Sequence, residues 1–148
     1  MTDDLGWLSS GASGAAAEPV RLAEIYATVE LERALEALGE SASHAAAAVD
    51  EPLLGARVVR LESGVALAEP STEGRLAATL ARHGEGRAGR YLEVPVPLKD
   101  VARRAAAAGV SVSRPAPGPF GREVLVLGGP VSGPHTLLVE RRTVPSPR

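Results

Sequence analysis

Residues 83–97, HGEGRAGRYLEVPVP, constrain the fold more than any other stretch, because the chain on either side reads as two versions of one unit. A run of helix formers ends at Gly84 and Gly86, where glycine tolerates the left-handed backbone that closes a helix. Tyr91, Leu92, Glu93 and Val94 then alternate in polarity with period two, the pattern of a strand with one wet face. Before this stretch the order is a strand over 21–29, a helix over 30–38 closed by Gly39, and a strand of small residues over 44–49. A turn at Asp50-Glu51-Pro52 follows, then a hairpin over 56–61 and 65–69 around Glu62-Ser63-Gly64. A linking helix over 72–83 leads into the second half. There the order returns: a strand over 89–96, a helix over 98–108 closed by Gly109, and a short strand over 110–113. A Pro/Gly loop over 114–121 and a hairpin over 123–127 and 135–140 complete it. Each half reads β-α-β-β-β, with Tyr26 and Tyr91, and Thr28 and Glu93, at matching places.

The 148 residues suffice for one domain, expected over 19–141. Residues 1–18, rich in Gly, Ser and Ala, read as a mobile tail, and 142–148 as a frayed end. A net charge of −2 gives no electrostatic footprint for nucleic acid. No apolar run approaches the ~20 residues that cross a bilayer, so no membrane partner is expected. Asp3 and Asp4 stand where a signal peptide is basic, and a cytoplasmic protein is the expectation. The absence of cysteine excludes thiolate metal sites, disulfides and a Cys nucleophile. No dinucleotide fingerprint or phosphate loop is present, and no cofactor is expected.

The segment AEPSTEGRLAATLARHGEGRAGRYLEV, followed by a helix, AAAGVSV, a Pro/Gly loop, FGREVLVLGGP and GPHTLLVE, resembles the vicinal oxygen chelate (VOC) superfamily, and within it the methylmalonyl-CoA epimerases. The shared marks are a middle strand ending in Glu69-Pro70, a linking helix, and the Gly84-Glu85-Gly86 turn. The resemblance implies an α+β fold of two βαβββ modules curled around a cavity, pairing of two chains, and a divalent metal held from four strands. Its ligand positions fall at Glu24, Ala66, Gly89 and Leu137, and one carboxylate does not make a metal site. The family's catalytic glutamate falls in the alanine run 45–48. The expectation is therefore a VOC fold whose metal site is lost, metal: none, with a larger and less polar pocket.

If the former ligand face still points inward, period two puts Glu24, Tyr26 and Thr28 in the cavity with Tyr91 and Glu93. Ala66, Gly89 and Leu137 would line it, and His135 would lie at its mouth. Glu24 and Glu93 are then the candidate proton-transfer groups, since burial raises a carboxyl pKa toward the working range. The bland alternative makes both ordinary strand residues paired with arginines. Three functions stay open: a metal-independent isomerase, cyclase or lyase acting on a carbonyl or acyl-thioester molecule; a drug-binding protein of the bleomycin-resistance type; and a non-catalytic partner subunit. A small-molecule ligand and a homodimer are the expected partners.

Overall fold

The computed structural model describes residues 5–9, 19–39 and 47–141. Eight strands form one sheet in the order β2-β3-β4-β1-β5-β8-β7-β6. The first half supplies β1 (Val20–Ala27), α1 (Leu31–Ala37), β2 (Val49–Glu51), β3 (Ala56–Arg60) and β4 (Val65–Pro70). After α2 (Arg75–His83), the second half supplies β5 (Gly86–Val94), α3 (Leu98–Ala107), β6 (Ala116–Gly118), β7 (Gly121–Leu125) and β8 (His135–Glu140). Within each half the first strand runs parallel to the last, β1 to β4 and β5 to β8. The halves join through the antiparallel pair β1–β5. The result is the two βαβββ modules expected, curled until the edge strands β2 and β6 approach each other.

The repeat extends to the helix ends. The Leu31 N–H that opens α1 donates to Glu69 Oε2 at 3.0 Å, and the Leu98 N–H that opens α3 donates to Glu140 Oε2 at 2.9 Å. Each acceptor lies on the last strand of its own module. A carboxylate there satisfies one of the orphan donors of a helix start and complements the helix dipole. Gly39 and Gly109, just beyond the two helices, take φ of +76° and +74°, as helix-ending glycines should.

The sheet has two apolar faces. Outside, α1 covers Val59 and Leu67 with Leu31 and Leu35, and α3 covers Leu92, Val94, Val124 and Leu138 with Leu98 and Val101. Inside the curl, Ala23, Ile25, Ala27, Ala66, Ala68, Tyr91, Leu125 and Leu137 form the main core. Among the described residues no helix is long and apolar enough to cross a membrane.

Four local readings change. Within the expected tail, Gly6–Ser9 form a 3₁₀ turn, and Leu5 and Leu8 are buried against α3. They cover apolar surface that α3 alone leaves open. The strand expected over 44–49 falls partly outside the described residues, and the one observed there is β2, which takes in Glu51 rather than turning before it. Residues 110–113 contribute only a bridge from Val112 to Val126. The edge strand β6 instead forms inside the Pro/Gly loop, where an edge position tolerates Pro117.

Candidate functional site

Strand β1 faces the opposite way from the expectation. Parallel register sets Ile25 beside Ala66 and Ala27 beside Ala68, and all four are core residues inside the curl. Glu24 and Tyr26 therefore lie on the outer face with Val65 and Leu67. Glu24 Oε2 pairs with Arg21 Nη1 at 2.9 Å and Arg87 Nε at 3.3 Å. The physical reason is burial cost: the alternate residues Ala23, Ile25 and Ala27 go inside freely, whereas an ionised Glu24 does not. Tyr26 and Thr28 line an outer groove of about 600 Å³ with Ala34, Val65, Leu67 and Glu85. Thr28 Oγ1 and the Val29 N–H both donate to Glu85 Oε2, at 2.9 and 2.8 Å, and these bonds hold the Glu85 carboxyl below its usual range.

The second half matches the expected face more closely. Tyr91 and Leu137 are fully buried partners in the β5–β8 register, and Ala66 is buried beside them. Tyr91 and Tyr26 thus sit on opposite faces of the sheet. Glu93 shares Tyr91's face by alternation but lies toward the strand's end, 3.5 Å from Arg141 Nε. Gly89 packs so tightly on β8 that a β-carbon there would overlap the His135 carbonyl oxygen. His135 is buried rather than at a mouth, with Nε2 3.0 Å from Thr79 Oγ1. Since the Thr79 hydroxyl donates to the Arg75 carbonyl, its oxygen is left to accept the Nε2–H of His135. Burial, with the Arg75 charge second, lowers the His135 pKa and favours the neutral imidazole.

The interior holds a polar group the sequence reading did not place. Glu51 and Glu123 are both fully buried. The Tyr91 hydroxyl donates to Glu51 Oε1 at 2.6 Å, and the Leu53 N–H donates to Glu51 Oε2 at 3.0 Å. The Glu123 carboxyl lies near that of Glu51 and against Gly118, where a β-carbon would overlap it. In its protonated form it hydrogen-bonds to the Glu51 carboxyl. Burial first, and Glu51 second, push its pKa up to about 10, so it carries a proton at neutral pH. Burial and the two carboxyls also raise Tyr91. Phe120 covers this group, its ring centroid 4.8 Å from that of Tyr91, and the Arg60 guanidinium lies 5.1 Å above Phe120.

This arrangement makes a pH prediction. The folded state keeps the Glu123 proton up to about pH 10, whereas the unfolded chain releases it near 4.5. Over that interval the folded state binds more protons, so the contribution is complete below pH 4.5 and is lost as pH rises. Urea midpoints should therefore fall from pH 5 to pH 9, and Glu123→Gln should flatten the slope. A slope unchanged by the substitution would contradict this account.

Two signals for these residues were in the sequence. Glu123 alternates with Leu125, and Arg60 with Ala56 and Val58, so period two sets both on the inner face. Glu51 had no such signal, because β2 has only three residues and Pro52 follows it.

The metal implied by the family does not fit this interior. Ala66 and Leu137 are apolar, Gly89 has no room for a side chain, and Glu24 faces outward. Among the described residues no three His, Asp or Glu side chains converge as a metal centre requires. The alanine run of the expected catalytic glutamate lies partly outside the described residues, and Ala47 and Ala48 carry no donor.

No protein-family model and no curated protein matches the chain. Solved structures do. Methylmalonyl-CoA epimerase from Mycobacterium tuberculosis superposes with a TM-score of 0.66 at 18% identity, covering 91% of this chain and 95% of its own. A variant of the Streptomyces coelicolor epimerase, in complex with 2-nitronate-propionyl-CoA, gives 0.64 at 21% identity, covering 85% and 100%. A hypothetical protein from Bacillus halodurans gives 0.62 at 16%, covering 88% and 99%. The two-module curl assembled from the sequence is thus the fold of the methylmalonyl-CoA epimerases, members of the vicinal oxygen chelate superfamily.

Proposed function

We propose that this chain is a VOC-type enzyme that works without a metal, moving a proton on a small molecule with a carbonyl or acyl-thioester group. The observation that carries the reading is the buried Glu51–Tyr91–Glu123 group on the inner face. Two carboxyls in one dry site do not both ionise, and their separation into an acid and a base is what proton transfer needs. Glu51, accepting from Tyr91 and Leu53, is set to take a proton from carbon. Glu123 is set to donate one to the carbonyl oxygen, and Tyr91 fixes the orientation of Glu51. Glu51 and Glu123 replace Glu24 and Glu93 as the proposed catalytic pair. The ligands in the structural neighbours, 2-nitronate-propionyl-CoA and methylmalonyl-CoA, support an acyl thioester as the substrate class. The test is α-proton exchange of an acyl thioester in D₂O, with and without chelator. Metal independence requires equal rates, and Glu51→Gln should abolish most of the exchange.

A second reading, a binding protein without turnover, is favoured by the outer groove. Its volume of about 600 Å³ is that of a small-molecule site, and its lining is mostly apolar. We further propose a homodimer. Since β2 and β6 approach each other, the surface to be covered is the exposed apolar set Val20, Tyr26 and Val29 rather than the sheet edges. Light scattering should give twice the chain mass at micromolar concentration, and a monomer would contradict it.

A further inference from the structure

We propose that the outer groove between α1 and β1 is a docking site for a short helical turn of a partner protein, one that carries two large apolar residues three apart and a lysine or arginine beside them. This goes beyond the acid–base reading and does not depend on it, because the groove and the Glu51–Tyr91 pair lie on opposite faces of the sheet.

The second module shows what covers such a groove. Across β1, β4 and β3 the register sets Tyr26, Leu67 and Val59 in one outer row. Across β5, β8 and β7 it sets Leu92, Leu138 and Val124 in the matching row. The helix starts agree: Leu31 is bonded to Glu69, just beyond Leu67, and Leu98 to Glu140, just beyond Leu138. Leu5 and Leu8 lie on the second row, in one cluster with Leu92, Val124 and Leu138. The Leu8 N–H donates to the Leu5 carbonyl at 3.0 Å and closes a turn that brings both side chains to one side. Arg104 of α3 donates to the Leu8 carbonyl and holds the turn in place. Leu92 is left 6% exposed, whereas Tyr26, its counterpart on the first module, is 37% exposed.

Among the described residues nothing plays the part of Leu5 and Leu8 on the first module. Its groove of about 600 Å³ is walled by Ala34, Ala37 and Leu38 of α1 and floored by Tyr26, Val65 and Leu67. Residues 1–4, 10–18, 40–46 and 142–148 hold no two large apolar residues three apart, so the turn comes from another protein. The charge beside the groove is that of Glu85. Its Oε2 accepts from the Thr28 hydroxyl and the Val29 N–H, which fixes the carboxylate, and its Oε1 has no partner among the described residues. Arg33, the other charge on the lining, is paired with Glu30 at 3.3 Å. A fixed carboxylate beside an apolar floor complements an apolar turn flanked by a cation, and a turn seated in a groove by residues three apart is a recurrent mode of peptide recognition.

The probe is a synthetic peptide of residues 3–10 with Asp3→Lys and Asp4→Lys, titrated into the whole protein and followed by amide NMR. It should bind at about millimolar concentration or tighter and shift the signals of Tyr26, Ala37 and Leu67. Leu5→Ala with Leu8→Ala in the peptide should weaken binding about tenfold or more. In the protein, Ala37→Phe should fill the groove and abolish binding. Glu85→Gln should cut the affinity about threefold while its amide oxygen still accepts from Thr28 and Val29. Both positions are exposed, so circular dichroism should show the fold unchanged. Since the groove is remote from Glu51, α-proton exchange should be the same in Ala37→Phe as in wild type. No shifts at millimolar peptide, shifts confined to Leu92 and α3, or equal affinity for the alanine peptide overturns the docking site. Two other occupants overturn it as well. Phenylbutylamine bound there as tightly as the peptide would make the groove a small-molecule site. Tyr26 shifts on diluting the protein, with none on adding peptide, would make it a contact between copies of this chain.

Discussion

Glu51→Gln is expected to slow α-proton exchange on an acyl thioester by ~10²-fold or more while the protein keeps its fold. The glutamine amide oxygen can accept from the Leu53 N–H in place of Oε2, and its NH₂ can donate to the Tyr91 hydroxyl oxygen, so the buried groups keep partners while the base is lost. Glu123→Gln should also reduce exchange, because the amide cannot hand on a proton to a developing enolate. The controls are Glu24→Gln and Glu93→Gln. Glu24 is held by Arg21 and Arg87 on the outer face, and Glu93 by Arg141, so neither change should move the rate. Deuterium incorporation followed by NMR, with circular dichroism to confirm the fold, makes the measurement. Exchange that survives both Glu51→Gln and Glu123→Gln would overturn this catalytic pair, and no exchange by wild type would favour the binding-protein reading.

What was legible in the sequence follows from how strongly each feature is imposed locally. The repeat was legible because Gly39 and Gly109 end their helices in the same way, and because a hairpin closes each half. The inward face of β5 was legible because Gly89 and Tyr91 could be anchored to the Gly84-Glu85-Gly86 turn. The face of β1 was not. Its alternate sets, Ala23-Ile25-Ala27 and Glu24-Tyr26-Thr28, both offer a workable inner lining, and only the pairing with Ala66 and Ala68 decides between them. A strand shifted by one residue exchanges its faces completely. That one step moved Glu24 and Tyr26 out of the interior. Glu51 was hidden for a different reason: its burial depends on Tyr91, 40 positions away, and on Glu123 across the nearly closed curl. No local pattern reports such a contact.

The largest effect on stability should come from Gly89→Ala, a loss of about 3 kcal/mol or more. Gly89 lies at the middle of the sheet, paired with Ile25 on one side and His135 on the other. A β-carbon on this backbone would meet the carbonyl carbon and oxygen of His135, which are main-chain atoms and cannot rotate away. Relief requires β5 and β8 to separate, and that strains the Tyr91–Leu137 contact and the hydrogen bond from Tyr91 to Glu51. The same geometry bears on the metal. Gly89→His, with Ala66→Gln and Leu137→Glu, would not build the metal centre that the resemblance implies, because the first of these changes breaks the sheet meant to hold it. Denaturant unfolding of Gly89→Ala and of Ala66→Ser separates the two effects. Ala66→Ser adds one small polar atom on the inner face and should cost far less, whereas equal midpoints for Gly89→Ala and wild type would show that β5 and β8 do not approach this closely.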